Sequence, residues 1–332
     1  MRDKAEFAKP KVVVSKCIEF DYCRWNGNTI RSPVVEVLKT YVDFHPVCAE
    51  VEIGLGIPRD PVRIIIENDQ KTLIQPSTGR NLTDIMKNFS DRFLNSLDFV
   101  DGFILKSQSP SCGLFQTKYL AGAQKGAAKL GVGPGFFGEA VLNKFPNLPI
   151  ETEGRLKNFL IREFFLSKLY TLASFREIKF SSKIQNLVEF HTKNKFLFMA
   201  FNQVELKNLG RIVANQEKNE FSILIDDYEK TLLVLLQKPN TFTSNINVMM
   251  HALGYFKKYL THEEKAFFLD SLEKYRSGWI PMFVITNLLK SWIVRFNQEY
   301  LAKQTFFESY PEELMTFDLK ETWRGRDYWS KK

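Results

Sequence analysis

The stretch "VDGFILKSQSPSCG" (100–113) joins an apolar run to a tight turn. Residues 100–106 read as a buried strand. Proline, glycine and small polar residues then stop it, and Cys112 sits inside the turn. The same order recurs at "KVVVSKC" (11–17), where a β-branched run leads into Cys17. "FHPVCAE" (44–50) places Cys48 after an apolar segment with a proline two residues before it. In an open α/β sheet, ligands bind beyond the carboxyl ends of the strands. Three thiols delivered from three such ends could meet there. Thiolates suit a soft metal or an iron–sulfur cluster. Free cysteine is also among the most buried residue types, so position alone leaves plain packing open beside ligation.

The surrounding chain supplies the alternation that such a sheet needs. "SPVVEVLKTYVDF" (32–44) has helical spacing, and "VRIIIE" (62–67) and "TLIQP" (72–76) read as strands of a hairpin through "NDQK". "LTDIMKNFSDRFLNSLDFV" (82–100) places Leu82, Ile85, Met86, Phe89, Phe93 and Leu97 on one helical face, with Asn81 or Thr83 as N-cap. Strands alternating with helices predict an α/β domain with a mainly parallel sheet. "GVGPGFFGEA" (131–140) opens a further helix. It lacks the Lys-Ser/Thr pair of a phosphate loop and reads as a mobile loop. "FPNLPIETEGR" (145–155), with two prolines, marks a boundary between domains at 1–150 and 151–332.

Beyond it the pattern is helical almost throughout, over 155–175, 181–201 with serine caps, 221–239, 245–260 and 261–278. The last opens on a capping box, Thr261 and Glu264, and stops at Gly278. An all-α helical bundle domain is expected.

A chain of 332 residues is long for one core, in keeping with two domains. The net charge is +8, split +3 and +5 between residues 1–150 and the rest, so neither half is a basic tail. This mild excess is compatible with a polyanionic partner. The N-terminal stretch has no apolar signal core. No run reaches the roughly 20 apolar residues of a membrane helix, and "WIPMFVITNLL" (279–289) is short and contains Pro281. A cytoplasmic protein with no membrane association and no disulfides is expected. The four cysteines, Cys17, Cys23, Cys48 and Cys112, all fall in the first 112 residues, without CxxC spacing.

The segments "VSKCIEFDYCRWNGN", "FHPVCAEVEIGLGIPRDPVR", "QPSTGRNLT" and "GFILKSQSPSCG" occur in the order found in the thiouracil desulfidase (TudS-like) family, and residues 10–150 resemble it. "FHTKNKFLFMAFN", "NVMMHALGYFKKYLTHEEK", "YRSGWIPM" and "YLAKQTFFESYPEEL" resemble the YbgA-like helical domain. The fusion resembles bacterial desulfidases that remove sulfur from 4-thiouridine in tRNA. The resemblance implies a [4Fe-4S] cluster on Cys17, Cys48 and Cys112, with one iron open to the substrate's sulfur. It leaves Cys23 outside the ligand set. It implies Glu50 as the catalytic carboxylate and a serine, Ser109 or Ser111, beside it. Two positions depart from the family pattern: Ala49 stands where Cys-Pro-Glu is usual, and "CRWNG" where "RYDG" is frequent.

Hydrolysis of a thiocarbonyl needs these residue types. Soft iron takes the departing sulfide, and a carboxylate moves the proton of the attacking water. No net redox change is required. Arg24, Arg59 and Lys106 adjoin the motifs and are candidates for phosphate or ring oxygens. In the helical domain "YFKKYL" (255–260), "HTKNKF" (191–196) and the tail "WRGRDYWSKK" (323–332) interleave bases with aromatics and are candidates for a tRNA partner. Within "YFKKYL", Phe256 and Leu260 are expected inward and Lys257 and Lys258 outward. His191 and His251 read as packing residues. No protein partner is expected. A desulfidase of free thiouracil or a small thioamide is the alternative within enzymes. A non-catalytic RNA-binding protein with a structural metal is the alternative from another class.

Overall fold

The computed structural model describes residues 6–315. The tail segment 323–332 lies outside them. The chain divides into two compact units, one comprising Met1–Ala173 with Pro311–Lys332 and the other Ser174–Tyr310.

The first unit is built in the order β1 (Lys11–Ser15), α1 (Pro33–Leu38), β2 (Asp43–Val47), α2 (Ala49–Glu52), β3 (Arg63–Glu67), β4 (Gln70–Gln75), β5 (Arg80–Asn81), α3 (Thr83–Asn95), β6 (Gly102–Leu105), β7 (Thr117–Leu120), β8 (Lys129–Gly133), α4 (Phe136–Lys144) and β9 (Ile150–Thr152). A 3-10 turn, Arg155–Lys157, leads into α5 (Phe159–Ser181), which runs past Ala173.

The strands form two sheets. The first, ordered β2-β1-β6-β9, is parallel throughout. The second, ordered β5-β4-β3-β7-β8, is mixed, with β3 and β7 its parallel pair. The expected parallel sheet is therefore present, and the hairpin belongs to a separate sheet. Its turn is tighter than "NDQK": Asn68 and Asp69 alone make it, both at positive φ (48° and 61°), as a two-residue hairpin turn requires.

Further local expectations in this unit differ from the structure. The helix expected over 32–44 stops at Leu38, and Asp43–Val47 becomes β2. Pro46 disguises this strand, yet β2 is the sheet edge, where a missing N–H costs no ladder bond. Helix α3 is capped at Leu82 instead; Asn81 Oδ1 accepts from Thr83 N (2.9 Å), and Thr83 Oγ1 accepts from Leu73 N (2.9 Å). On its face Ile85 is exposed, whereas Leu82, Met86 and Phe89 are buried.

Another concerns "GVGPGFFGEA", which is no loose loop. Its first residues complete β8, paired antiparallel to β7. The rest packs backbone to backbone on the Cys112 turn. Gly135 N donates to Gly113 O (2.8 Å), Phe136 N to Pro110 O (3.0 Å) and Gly138 N to Ser111 O (3.0 Å). A Cβ on Gly135 would meet the carbonyl oxygens of Ser109, Pro110 and Ser111 at 2.6 Å. One on Gly138 would strike Gly113 O and stand 2.9 Å from Cys112 O. The glycines are there for this close approach.

The second unit is all helical. Helices α6 (Ile184–Phe201), α7 (Gln203–Ala214), α8 (Phe221–Leu235), α9 (Phe242–Gly254), α10 (His262–Arg276), α11 (Met282–Arg295) and α12 (Glu299–Ala302) follow α5. Helix α6 starts from Lys183 without a serine side-chain cap. Thr261 and Glu264 do form the capping box of α10, and Gly278 follows its end at φ 74°. The apolar stretch 279–289 opens α11, which buries Ile285, Leu289, Trp292 and Ile293 against Phe256 and Phe268. Among the described residues no helix is long and apolar enough to cross a membrane.

Helix propensity alone predicts that Gly138→Ala stabilises α4 by about 0.5–1 kcal/mol. The clash with Cys112 and Gly113 carbonyls outweighs that gain, because overpacking costs about 1–3 kcal/mol. The expected outcome is a lower denaturant midpoint for Gly138→Ala, measured by circular dichroism; a higher midpoint would refute the brace.

Candidate active site

Strands β2, β1, β6 and β9 all end on one edge, and each end delivers a functional group. Cys17 follows β1, where Ile30 N (2.8 Å) and Thr29 Oγ1 (3.0 Å) donate to its carbonyl and fix the turn. Cys48 follows β2 and stands at the N-cap of α2. Cys112 lies in the turn after β6, and Glu153 follows β9. Cys17, Cys48 and Cys112 line one cavity of 310 Å³ together with Glu50, Arg24, Arg59, Lys106 and Ser109. Cys23 and Trp25 line it as well, from the loop between β1 and α1.

Glu50 rides on the short helix α2, directly after Cys48. Its Oε2 accepts from Arg59 Nε (2.8 Å) and pairs with Arg59 Nη2 (2.8 Å). Its Oε1 accepts from Ser111 Oγ (3.0 Å). Arg59 is nearly enclosed and spends its remaining donors on Cys23 O (3.0 Å), Gly56 O (3.1 Å) and the Cys48 sulfur (3.9 Å). Two guanidinium donors on Oε2 and the Ser111 hydroxyl on Oε1 together hold the carboxylate in place and compensate its charge.

The geometry separates the two serines. Ser111 is fully buried and its hydroxyl faces Glu50. Ser109 Oγ instead accepts from the amides of Ser111 (3.2 Å) and Cys112 (3.1 Å), and its carbonyl accepts from Gly113 N (2.9 Å) and Thr117 Oγ1 (3.0 Å). Ser109 thus shapes the cysteine turn.

Of the three basic candidates, two are committed to carboxylates. Arg59 holds Glu50, and Lys106 Nζ is bound by Glu153 Oε1 (2.6 Å) and Ser107 (2.8–2.9 Å). Arg24 lines the cavity with no ion-pair partner among the described residues. Glu153 escaped the sequence reading. It is 6% exposed and also accepts from Ser107 N (2.8 Å) and Ser107 Oγ (2.7 Å), closing the wall beside Lys106. It lies inside the proline-rich segment read as a boundary, where no local pattern marks a buried acid.

Cys23, Cys48 and Cys112 are held in their neutral form by their surroundings. Hydrogen bonding to Cys17, reinforced by burial, pushes the Cys23 thiol up to about 11. Contact with Cys23, then burial, raises that of Cys48 strongly. Burial pushes Cys112 up to about 12, against a hydrogen bond with Ser15. Thiols so placed ionise only with a cation among them. Among the described residues no three His, Cys, Asp or Glu side chains converge closely enough for a single metal ion. Cys17, Cys48 and Cys112 nevertheless offer the cavity three soft sulfur donors, the ligand type that an iron–sulfur cluster takes.

Comparison with known proteins shows what each part of the chain is similar to. Residues 12–153 match the family model described as 2-thiouracil desulfurase, and residues 195–311 match the family described as "Protein of unknown function (DUF1722)". Over 126 residues the chain is 27% identical to "Uncharacterized protein YbgA" of Escherichia coli (strain K12), covering 38% of this chain and 75% of that protein. A solved structure described as a [4Fe-4S]-dependent thiouracil desulfidase, TudS, is 24% identical, with a TM-score of 0.37, covering 45% of this chain and 94% of that one. The chain thus carries a TudS-like domain over residues 12–153, followed by a YbgA-like domain.

Removing Arg59 leaves a buried carboxylate unpaired, which costs about 3–5 kcal/mol. Arg59→Ala should therefore lower the thermal midpoint markedly, while Lys230→Ala, which breaks an exposed pair with Asp227, shifts it little. Equal shifts in calorimetry would refute the pairing as the support of Glu50.

Proposed function

We propose that the first domain is an iron–sulfur-dependent desulfidase that converts 4-thiouridine in tRNA to uridine. The observation that carries this reading is the convergence of Cys17, Cys48 and Cys112 on a cavity that Glu50, held from behind by Ser111, also lines. The net reaction adds water to the thiocarbonyl carbon and releases hydrogen sulfide: the C=S bond is exchanged for C=O, with no change of oxidation state. Cys17, Cys48 and Cys112 hold the cluster, which when bound supplies a Lewis-acidic iron for the departing sulfur.

This chain's own residues do the rest. Arg59 holds one oxygen of Glu50 and Ser111 the other, and the carboxylate so fixed lines the cavity. Glu50 takes a proton from the attacking water and returns it to the leaving group. The Ser111 hydroxyl, donating to the other Glu50 oxygen, positions that carboxylate. Trp25 offers a flat face to the pyrimidine, and Arg24 a charge to its phosphate. The tRNA substrate is supported by the helical unit, where Lys257 and Lys258 stand exposed between exposed Tyr255 and Tyr259 while Phe256 and Leu260 point inward. His191 packs on Tyr228, its Nδ1 3.1 Å from the hydroxyl, and burial lowers its pKa to about 4. Free 2-thiouracil is the second reading, favoured by the description of the matching family.

The test is sulfide release from 4-thiouridine-containing tRNA and, separately, from free 2-thiouracil, using protein purified without oxygen. Turnover of tRNA is expected; turnover of the free base alone would favour the second reading, and turnover of neither by brown, cluster-bearing protein would refute the enzyme. A colourless protein without labile sulfide would point to a structural metal. Glu50→Gln should lower kcat by about 10²–10⁴-fold, the usual contribution of acid–base catalysis. Alanine at Cys17, Cys48 or Cys112 should abolish the absorbance near ~400 nm of iron–sulfur proteins. Cys23→Ala should retain it; loss there would make Cys23 a fourth ligand.

A further inference from the structure

Beside the active-site cavity lies a second one, of 270 Å³, also within the first unit. The two share Ser107 and Gln108 as a common wall. The second cavity is otherwise bounded by Leu114, Phe115, Gln116, Thr152, Gly154 and Arg155. None of these side chains serves the chemistry described above.

Its composition is that of a base-stacking site. Phe115 is 46% exposed although it follows the buried cysteine turn, so its ring is not part of the core. The Arg155 guanidinium lies 5.5 Å from the ring centroid. Glu151 grips that guanidinium at both Nε (2.8 Å) and Nη2 (3.1 Å), which fixes its plane. A flat ring and a fixed guanidinium together make a platform that any nucleobase can stack on. Gln108 and Gln116 are exposed, and their amides have no hydrogen-bond partner among the described residues. They are free to meet base edges.

The shared wall adds a geometric reason. Gln108 is one of the few non-glycine residues at positive φ (57°). Such backbone strain concentrates at functional sites. Here it sets the ridge between the two cavities, the place a phosphodiester must cross if one nucleotide occupies each.

We propose that this second cavity binds the nucleotide adjoining the thionucleotide, stacking its base on Phe115 and Arg155. The proposal rests on the desulfidase reading for the occupant of the first cavity, and narrows its substrate class to a nucleotide within a chain. A free thiouracil desulfidase has no use for such a subsite.

The test measures binding, not turnover. Holoprotein is titrated with uridine 5′-monophosphate and with the dinucleotide pUpU, both product-like and inert, by calorimetry. The dinucleotide is expected to bind about ten- to a hundredfold tighter, the range that one stacked base contributes. Phe115→Ala should reduce this ratio to near one, and Phe115→Tyr should restore it. Gly154→Leu provides an independent variant. Gly154 has an ordinary φ of −71°, and its Cβ would stand at contact distance (3.8 Å) from Ser107 Oγ, so a leucine fills the cavity without straining the backbone. It too should abolish the ratio. Equal affinities for the two probes in the wild type would overturn the proposal, as would a ratio that survives both Phe115→Ala and Gly154→Leu. Sulfide release from 4-thiouridine 5′-monophosphate, measured in parallel, reports on the desulfidase reading alone.

Discussion

Parallel pairing of β1 between β2 and β6 is the constraint on which the site depends. Its register sets Ser15 opposite Val47 and Val14 opposite Ile104. The chain leaves all three strands at the same edge, so residues 17, 48 and 112 arrive together despite separations of up to 95 positions. An antiparallel sheet would scatter these turns to opposite edges. The β-branched run of β1 is buried on both faces, as a central parallel strand must be.

A second layer of order is electrostatic. The enclosed Arg59 guanidinium bonds to the Glu50 carboxylate, to two backbone carbonyls and to a cysteine sulfur. A charge this enclosed persists only when its donors are occupied, so the loop holding Gly56 and the turn holding Cys23 are tied to the position of the carboxylate. Lys106 and Glu153 repeat the arrangement across the cavity. Two of the three cations read as substrate contacts are thereby ion-paired to acids that line or adjoin the cavity.

The third element is steric. Glycines 135 and 138 bring the start of α4 against the carbonyls of residues 109–113. Helix amides satisfy those carbonyls, which leaves the Cys112 turn little freedom. A glycine-rich stretch that resembles a phosphate loop in composition is, in this fold, a clamp on a cysteine turn.

Much of this was legible in the sequence. The strand-then-cysteine order at 11–17 and 100–112, the α/β alternation and the helical second half follow from periodicity and turn chemistry, which act over a few residues. The motif resemblance named Glu50 and the cysteines. Local pattern could not find β2, because Pro46 breaks the period and only its edge position makes it tolerable. It could not find Glu153, whose burial comes from pairing with β6, 46 residues away at Ser107. Nor could it separate Ser109 from Ser111, since two hydroxyls two residues apart differ only in where the folded turn aims them. The sequence by itself determined which groups are available and which strand ends carry them. The tertiary structure decided which of them meet, because hydrogen-bond partners and desolvation exist only once distant segments share an edge.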